Sequence, residues 1–229
     1  MVKYLRRRTN SLLVLVKTGS IMTQMRKKGR LEVVCGSMFS GKTEELMRRV
    51  KRAEYARQNV LTLKHQLDQR KSHTRLVSHG GIEHAALPIQ DNQAAFKQIL
   101  ELAMPPINVV GIDEIQFFPH GIIEVITQLV DRGNRVIVAG LDLDFRGEPF
   151  GIMPALLSIA DEVLKLKAIC VLCGTDAHHT QRLINGAPAS YHDPIILVGA
   201  EEYYEARCRD CFQIDTPALI QPALHQAAL

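Results

Sequence analysis

Short, nearly unbroken apolar runs recur along this chain, and amphipathic stretches separate them. Residues 31–35 (LEVVC), 60–64 (VLTLK), 107–112 (INVVGI), 135–140 (RVIVAG) and 163–167 (VLKLK) read as five strands. Helical spacing fits residues 42–57, 92–103 and 121–132, with a shorter helix after Pro154. Apolar strands that alternate with helices predict a parallel sheet covered on both faces, hence an α/β fold. Pro105-Pro106 stops one helix before the third strand, and Asp131-Arg132-Gly133-Asn134 stops another before the fourth. No internal repeat is visible.

The first apolar run leads directly into GSMFSGKT at residues 36–43. The spacing of Gly36, Gly41, Lys42 and Thr43 is that of a phosphate-binding loop. Glycines let the backbone wrap a phosphate and aim successive N–H groups at it. Lys42 offers a compact positive charge to the outer phosphates, and the Thr43 hydroxyl suits Mg²⁺. The helix formers after Thr43 place a helix N-terminus, with its positive dipole end, beneath the anion. Average composition produces this pattern by chance in about one per cent of chains this long. The expected ligand is a nucleoside triphosphate.

The third strand runs into Asp113-Glu114. In a parallel sheet the ligand crevice lies at the carboxyl ends of the strands. Asp113 there would hold the metal through water, and Glu114 would act as a base or orient the nucleophile. On its own an acid after an apolar run merely starts an exposed loop. The phosphate loop upstream favours the functional alternative.

Cysteine carries the second signal. Cys170-Val171-Leu172-Cys173 and Cys208-Arg209-Asp210-Cys211 are two Cys-x-x-Cys knuckles with 34 residues between them. Four thiolates suit a tetrahedral Zn²⁺ with no open position, which is a structural site. Disulfides are disfavoured without a secretory signal, and redox chemistry more often uses one pair. Cys35, inside the first strand, reads as a small buried hydrophobe. Between the knuckles, turn residues from Thr180 to Tyr191 precede a strand-like run at 195–199 and then Tyr203-Tyr204. Anchored at both ends by zinc, such a segment could fold over a ligand and exclude water.

Charge is uneven along the 229 residues. The first 30 hold nine of the 28 basic residues and none of the 24 acidic ones, leaving 19 against 24 in the remainder, a net of −5. A mildly acidic body argues against non-specific nucleic-acid binding. The basic segment has only five consecutive apolar residues (12–16) and no convincing cleavage site, so a secretory signal fits poorly. An Arg-rich, acid-free transit peptide and a disordered extension remain, and the extension is favoured. No run approaches the ~18 apolar residues of a membrane span. The expected setting is the cytoplasm.

GSMFSGKT, then DEIQFF at 113–118, LDLDFRGEPFG at 141–151, and VGAEEYYEARC at 198–208 with its paired Cys-x-x-Cys motifs resemble the cellular-type (type II) thymidine kinases over residues 30–213. The resemblance implies transfer of the ATP γ-phosphoryl group to the 5′-hydroxyl of thymidine or deoxyuridine, a salvage reaction. It implies a P-loop NTPase-like sheet domain (30–167), a small zinc-binding lasso domain (168–213), a C-terminal tail (214–229) and a homotetramer. The basic segment 1–29 is not part of the family's core pattern. ATP with Mg²⁺ and structural Zn²⁺ are the implied cofactors, with no nucleic-acid or membrane partner.

Carried over by position, Glu114 resembles the base for the 5′-hydroxyl, and Arg70 an arginine near the transferred phosphate. Lys42 and Thr43 resemble the phosphate and Mg²⁺ ligands, with Asp113 the second metal ligand. Gly36, Ser37, Met38, Phe39, Ser40, Gly41, Lys42, Thr43, Asp113, Glu114, Ile115 and Gln116 would surround the nucleotide. Met38, Leu141, Phe145, Phe150 and Tyr204 would pack around the thymine. Thr180 and the backbone of Ile195, Ile196, Leu197, Val198 and Gly199 would contact the base from the lasso. Tyr203 competes with Tyr204, and counting back from Cys208 favours Tyr204. Cys170, Cys173, Cys208 and Cys211 would hold the zinc.

Blander readings accompany these. At least two of Phe117, Phe118, Phe145 and Phe150 are expected in the core. The histidines, His178-His179 included, read as surface polar residues. A P-loop ATPase using a zinc module to bind nucleic acid or protein is the competing function. A catalytically dead regulator is weakened because no catalytic position is substituted.

Overall fold

The computed structural model describes residues 28–67, 75–77, 83–196 and 202–215. Its first part runs β1 (Arg30–Cys35), α1 (Lys42–Tyr55), β2 (Asn59–His65), β3 (Arg75–Val77), β4 (Glu83–Ala85), β5 (Leu87–Ile89), α2 (Gln93–Leu102) and β6 (Ile107–Asp113). A 3-10 turn (Ile115–Phe117), α3 (Ile122–Asp131), β7 (Arg135–Gly140), α4 (Met153–Ile159) and β8 (Glu162–Lys165) complete it. Six strands form one sheet in the order β5-β2-β6-β7-β1-β8, and every neighbouring pair is parallel.

All five expected strands and four expected helices are present, within a few residues at their ends. Three strands are additional. β5 is an edge strand of three residues containing Pro88, where a missing N–H is tolerated. Among the described residues, β3 and β4 pair only with each other. Neither is long enough to show a period.

Side chains of the central strands alternate between two cores. Val34, Val109, Ile137 and Ala139 face α1, which covers that side with Leu46, Met47, Val50 and Ala53. Leu31, Val33, Val110, Ile112, Val136 and Val138 face the opposite side, filled by α2, α3 and α4 through Ile99, Ile122, Ile126, Leu129 and Leu156. Cys35 belongs to this second core, and burial pushes its thiol up to about 11, as expected for a packing residue.

A carboxylate is sealed in the sheet. Glu32, at 0% exposure, meets Arg49 Nη1 at 2.6 Å, Arg135 Nε at 2.6 Å and Arg30 Nε at 2.7 Å. Burial raises its pKa, but the hydrogen bonds from Arg135 and Arg49 outweigh it and hold the carboxyl down at about 2 against an ordinary 4.5. Glu32→Ala leaves Arg49 buried without this partner and is expected to cost about 3–5 kcal/mol in urea unfolding. Because the folded pKa is depressed, Glu32's contribution is complete above about 4.5 and is lost as pH falls towards 2. Wild type and Glu32→Ala should therefore converge in stability across that window.

The second part is a small lobe. β9 (Ala168–Ile169) pairs with β10 (Asp176–Ala177). β11 (His179–Ile184) lies between β12 (Ala187–Pro188) and β13 (Glu202–Arg207), antiparallel to both. The expectation of turn residues from Thr180 onwards is therefore corrected: 180–184 are the central strand. The turn itself is Asn185-Gly186, both at positive φ, the signature of a tight hairpin. The strand was hidden because its main partner, β13, begins 18 residues beyond its end.

His179 is a second correction, 94% buried and stacked on Phe212 with ring centroids 4.6 Å apart. Ile195 and Ile196 are exposed and not in a strand. Leu197, Val198 and Gly199, like Arg70, lie outside the described residues, as do 1–27 and 216–229. Gly29 is already tied to the sheet domain, donating to the Val130 carbonyl at 2.8 Å. Among the described residues no helix is long and apolar enough to cross a membrane.

Candidate active site

The carboxyl ends of β1, β6 and β7 lie on one edge of the parallel sheet, where the ligand crevice of such a sheet is expected. β1 ends in the loop 36–43, whose backbone needs glycine at its entry. Gly36 has φ +142°, and a Cβ there would lie 2.4 Å from the Leu166 carbonyl oxygen. Gly41, at φ +86°, caps α1 without a side-chain partner. The loop is braced internally: Ser40 Oγ donates to the Ser37 carbonyl at 2.8 Å, and Lys42 Nζ donates to the same oxygen at 2.7 Å. The ammonium is thus folded back over the loop. Phe39 sits on its outer rim, 45% exposed.

β7 separates β1 from β6 in the sheet, yet the start of α1 reaches the end of β6. Thr43 Oγ1 donates to Asp113 Oδ2 at 2.9 Å. A hydroxyl and a carboxylate at this distance are a suitable oxygen donor set for Mg²⁺. Asp113 Oδ1 accepts the Glu114 N–H at 3.0 Å, which turns the chain sharply. Glu114 has φ +53°, a conformation that costs a non-glycine residue about 1 kcal/mol or more and clusters at functional sites. Its Oε2 accepts Gln116 Nε2 at 2.6 Å, while Gln116 Oε1 accepts the Leu141 N–H at 3.1 Å. Gln116 therefore fixes Glu114 against the end of β7. Ile115 is fully buried and Gln116 nearly so, so both support the crevice from within.

The loop after β7 and the small lobe form the other wall. Phe145 is buried and Phe150 partly so, with Phe150 edge-on to Phe117 at 5.6 Å. Phe118 is buried against His65, so Phe118 and Phe145 satisfy the expectation of at least two core phenylalanines. Burial pushes the His65 imidazole below its ordinary pKa. Met38 N–H donates to Thr180 Oγ1 at 3.0 Å, which seats the lobe on the phosphate loop. Tyr203 is 74% exposed, whereas Tyr204 is partly buried and its hydroxyl accepts from Arg182 Nε at 3.1 Å. Adjacent strand residues face opposite ways, so Tyr204 is the inward one.

Sequence reasoning missed Arg182 and Gln181, both almost fully buried. Arg182 is sandwiched near Phe145, 4.2 Å from the ring centroid. Its only signal was a charge amid 180–184, which the turn assignment concealed.

The sulfurs of Cys170, Cys173, Cys208 and Cys211 lie within 4.8 Å of one another, and none is in a disulfide. Cys173 and Cys208 Sγ are 3.5 Å apart. Tetrahedral zinc with bonds of about 2.3 Å needs sulfurs about 3.8 Å apart, so the cluster could hold a zinc ion. Cys170 and Cys208, with Ala168, Ala177 and Ala206, form the lobe's buried cluster, and the partly buried Cys211 packs against it, whereas Cys173 is exposed.

Among solved structures, the genome packaging NTPase B204 from Sulfolobus turreted icosahedral virus 2, in complex with ATP-gammaS, is similar at 14% identity. The match covers 60% of this chain and 74% of that one with a TM-score of 0.42, too distant to bear on the chemistry. Residues 29–212 match the family described as thymidine kinase. That span takes in the phosphate loop, both carboxylates and all four clustered cysteines, and the chain belongs to the thymidine kinase family.

Proposed function

We propose that this nucleoside kinase transfers the γ-phosphoryl group of ATP to the 5′-hydroxyl of thymidine, and of deoxyuridine, as a salvage reaction. One observation carries the reading: the lobe docks on the phosphate loop through Met38 N–H and Thr180 Oγ1. A module for gripping DNA or a protein partner would need its face free. Here Thr180 is engaged with the loop assigned to the nucleotide, which suits a small ligand held between lobe and sheet domain.

The division of labour follows from the chemistry. Loop N–H groups, the start of α1 and Lys42 bind the β- and γ-phosphates. Thr43 and Asp113 would hold Mg²⁺, which neutralises charge building on the phosphates. Arg70 is assigned the same electrostatic task at the transferred group. Phosphoryl transfer asks mostly for such positioning. Glu114, buried and held by Gln116, accepts the proton of the 5′-hydroxyl as that oxygen bonds to phosphorus. The bond from phosphorus to the bridging oxygen breaks, and ADP leaves. Met38, Leu141, Phe145, Phe150 and Tyr204 enclose the base, with Thr180 and the backbone 195–199 reaching it from the lobe. Zinc would hold the lobe shut as one unit spanning 168–213, attached to the nucleotide domain 30–167. The assembly is a homotetramer, to be checked by light scattering.

The deciding experiment incubates the protein with ATP, Mg²⁺ and a panel of nucleosides and identifies the monophosphates formed. Thymidine monophosphate as the main product is expected. ADP release stimulated by DNA but not by any nucleoside would instead select the ATPase reading.

A further inference from the structure

A guanidinium is enclosed in the lobe, and its contacts join three separate segments. Arg182 is 0% exposed. Nη1 donates to the Pro194 carbonyl at 2.7 Å and Nη2 to the Ile195 carbonyl at 2.9 Å. Nε donates to the Tyr204 hydroxyl at 3.1 Å. The guanidinium carbon lies 4.2 Å from the centre of Phe145, in the loop after β7. Three donors in one plane thus reach the arm before residue 197, strand β13 and the aromatic wall.

We propose that Arg182 is a positioning residue that sets nucleoside affinity, by fixing the arm at Pro194–Ile195, the Tyr204 hydroxyl and the Phe145 ring in one register. The inference rests on the reading that Phe145 and Tyr204 face the nucleoside. Among the described residues, 194 and 195 have no ladder partner, and their carbonyls accept from the Arg182 side chain. A planar fork can grip two successive carbonyls while stacking on a ring, whereas an ammonium is a point charge without that geometry. Thr180 and Arg182 are two apart on β11 and so share a face. One grips the phosphate loop and the other the nucleoside wall. The arm is held from its far side too: Arg146 Nη2 donates to the Asp193 carbonyl at 2.8 Å, and Tyr191 Oη to Glu148 Oε1 at 2.7 Å. With that second hold intact, loss of Arg182 loosens the arm rather than unfolding the lobe.

The test compares full-length wild type, Arg182→Gln and Arg182→Lys by titration of thymidine and of ATP, metal analysis and amide hydrogen exchange. Arg182→Gln is expected to weaken thymidine binding about tenfold or more, the scale of lost charge-assisted hydrogen bonds. ATP affinity and metal content should stay within about twofold by the same reasoning, because the contacts described for the guanidinium run to Pro194, Ile195, Tyr204 and Phe145. Exchange should quicken over residues 190–196 and stay slow in β6. Arg182→Lys, a milder change, should recover part of the thymidine affinity. Unchanged thymidine affinity, unchanged exchange at 190–196, or parallel loss of thymidine, ATP and metal would each overturn the proposal. If wild type phosphorylates another nucleoside, the functional reading fails; the titration is then made with that nucleoside, and the exchange contrast reads the arm independently.

Discussion

Glu114→Gln is expected to lower turnover at least about a hundredfold while ATP and thymidine still bind, the scale for removing a general base. The substitution keeps shape and removes basicity. Gln116 Nε2, now 2.6 Å from Glu114 Oε2, can donate equally well to an amide oxygen, so the turn at φ +53° keeps its support. Asp113 and the phosphate loop retain their contact through Thr43. A loss confined to the chemical step is therefore the signature, read by rapid-quench turnover beside equilibrium titration of each ligand. Turnover within a few-fold of wild type would remove Glu114 from the proton's path.

Removing the metal, or making Cys173→Ser, should collapse thymidine affinity before ATP affinity. The reason lies in where each part keeps its core. The lobe's buried cluster is built from Cys170, Cys208 and three alanines, with Cys211 packed against it, too little apolar surface to order the segment alone. The sheet domain packs two extensive aliphatic cores that include none of those residues. Structural zinc contributes about 10–16 kcal/mol in small zinc modules, so its loss should melt the lobe and spare the sheet. The phosphate loop then loses one acceptor, Thr180 Oγ1, a change of about 1 kcal/mol. Metal analysis followed by separate titrations on chelated protein decides the matter. Zinc-free protein with normal thymidine affinity would sink the assignment, and equal loss of both ligands would show that lobe and sheet fold together.

The sheet domain was legible because its information is local. Each central strand is an apolar run closed by a turn signal, and the phosphate loop is a contiguous motif. Asp113 and Glu114 could be named because they end such a strand. The lobe resisted for the opposite reason. β11 draws its partner β13 from far along the chain, and its composition, HTQRLI, gives no alternation to read. His179 and Arg182 look like surface residues by type. Their burial comes from Phe212 and Phe145, ring partners from distant segments. Of the residues expected around the base, the structure brings Met38, Thr180, Phe145 and Tyr204 to the seam between lobe and sheet domain. Ile195 enters it through a carbonyl held by Arg182, not as part of a strand.

The hydrogen bond between Met38 and Thr180 gives the two halves of the crevice a shared energetic account. In the proposed assignment, the donor belongs to the loop that receives the triphosphate and the acceptor to the strand that walls the nucleoside. Any adjustment of the loop that improves or worsens this bond shifts the free energy of the lobe by the same amount. Reciprocity then requires that whatever factor the nucleotide lends to nucleoside affinity is returned unchanged by the nucleoside. Order of addition cannot alter that factor, so titrating either ligand against the other reads the same coupling.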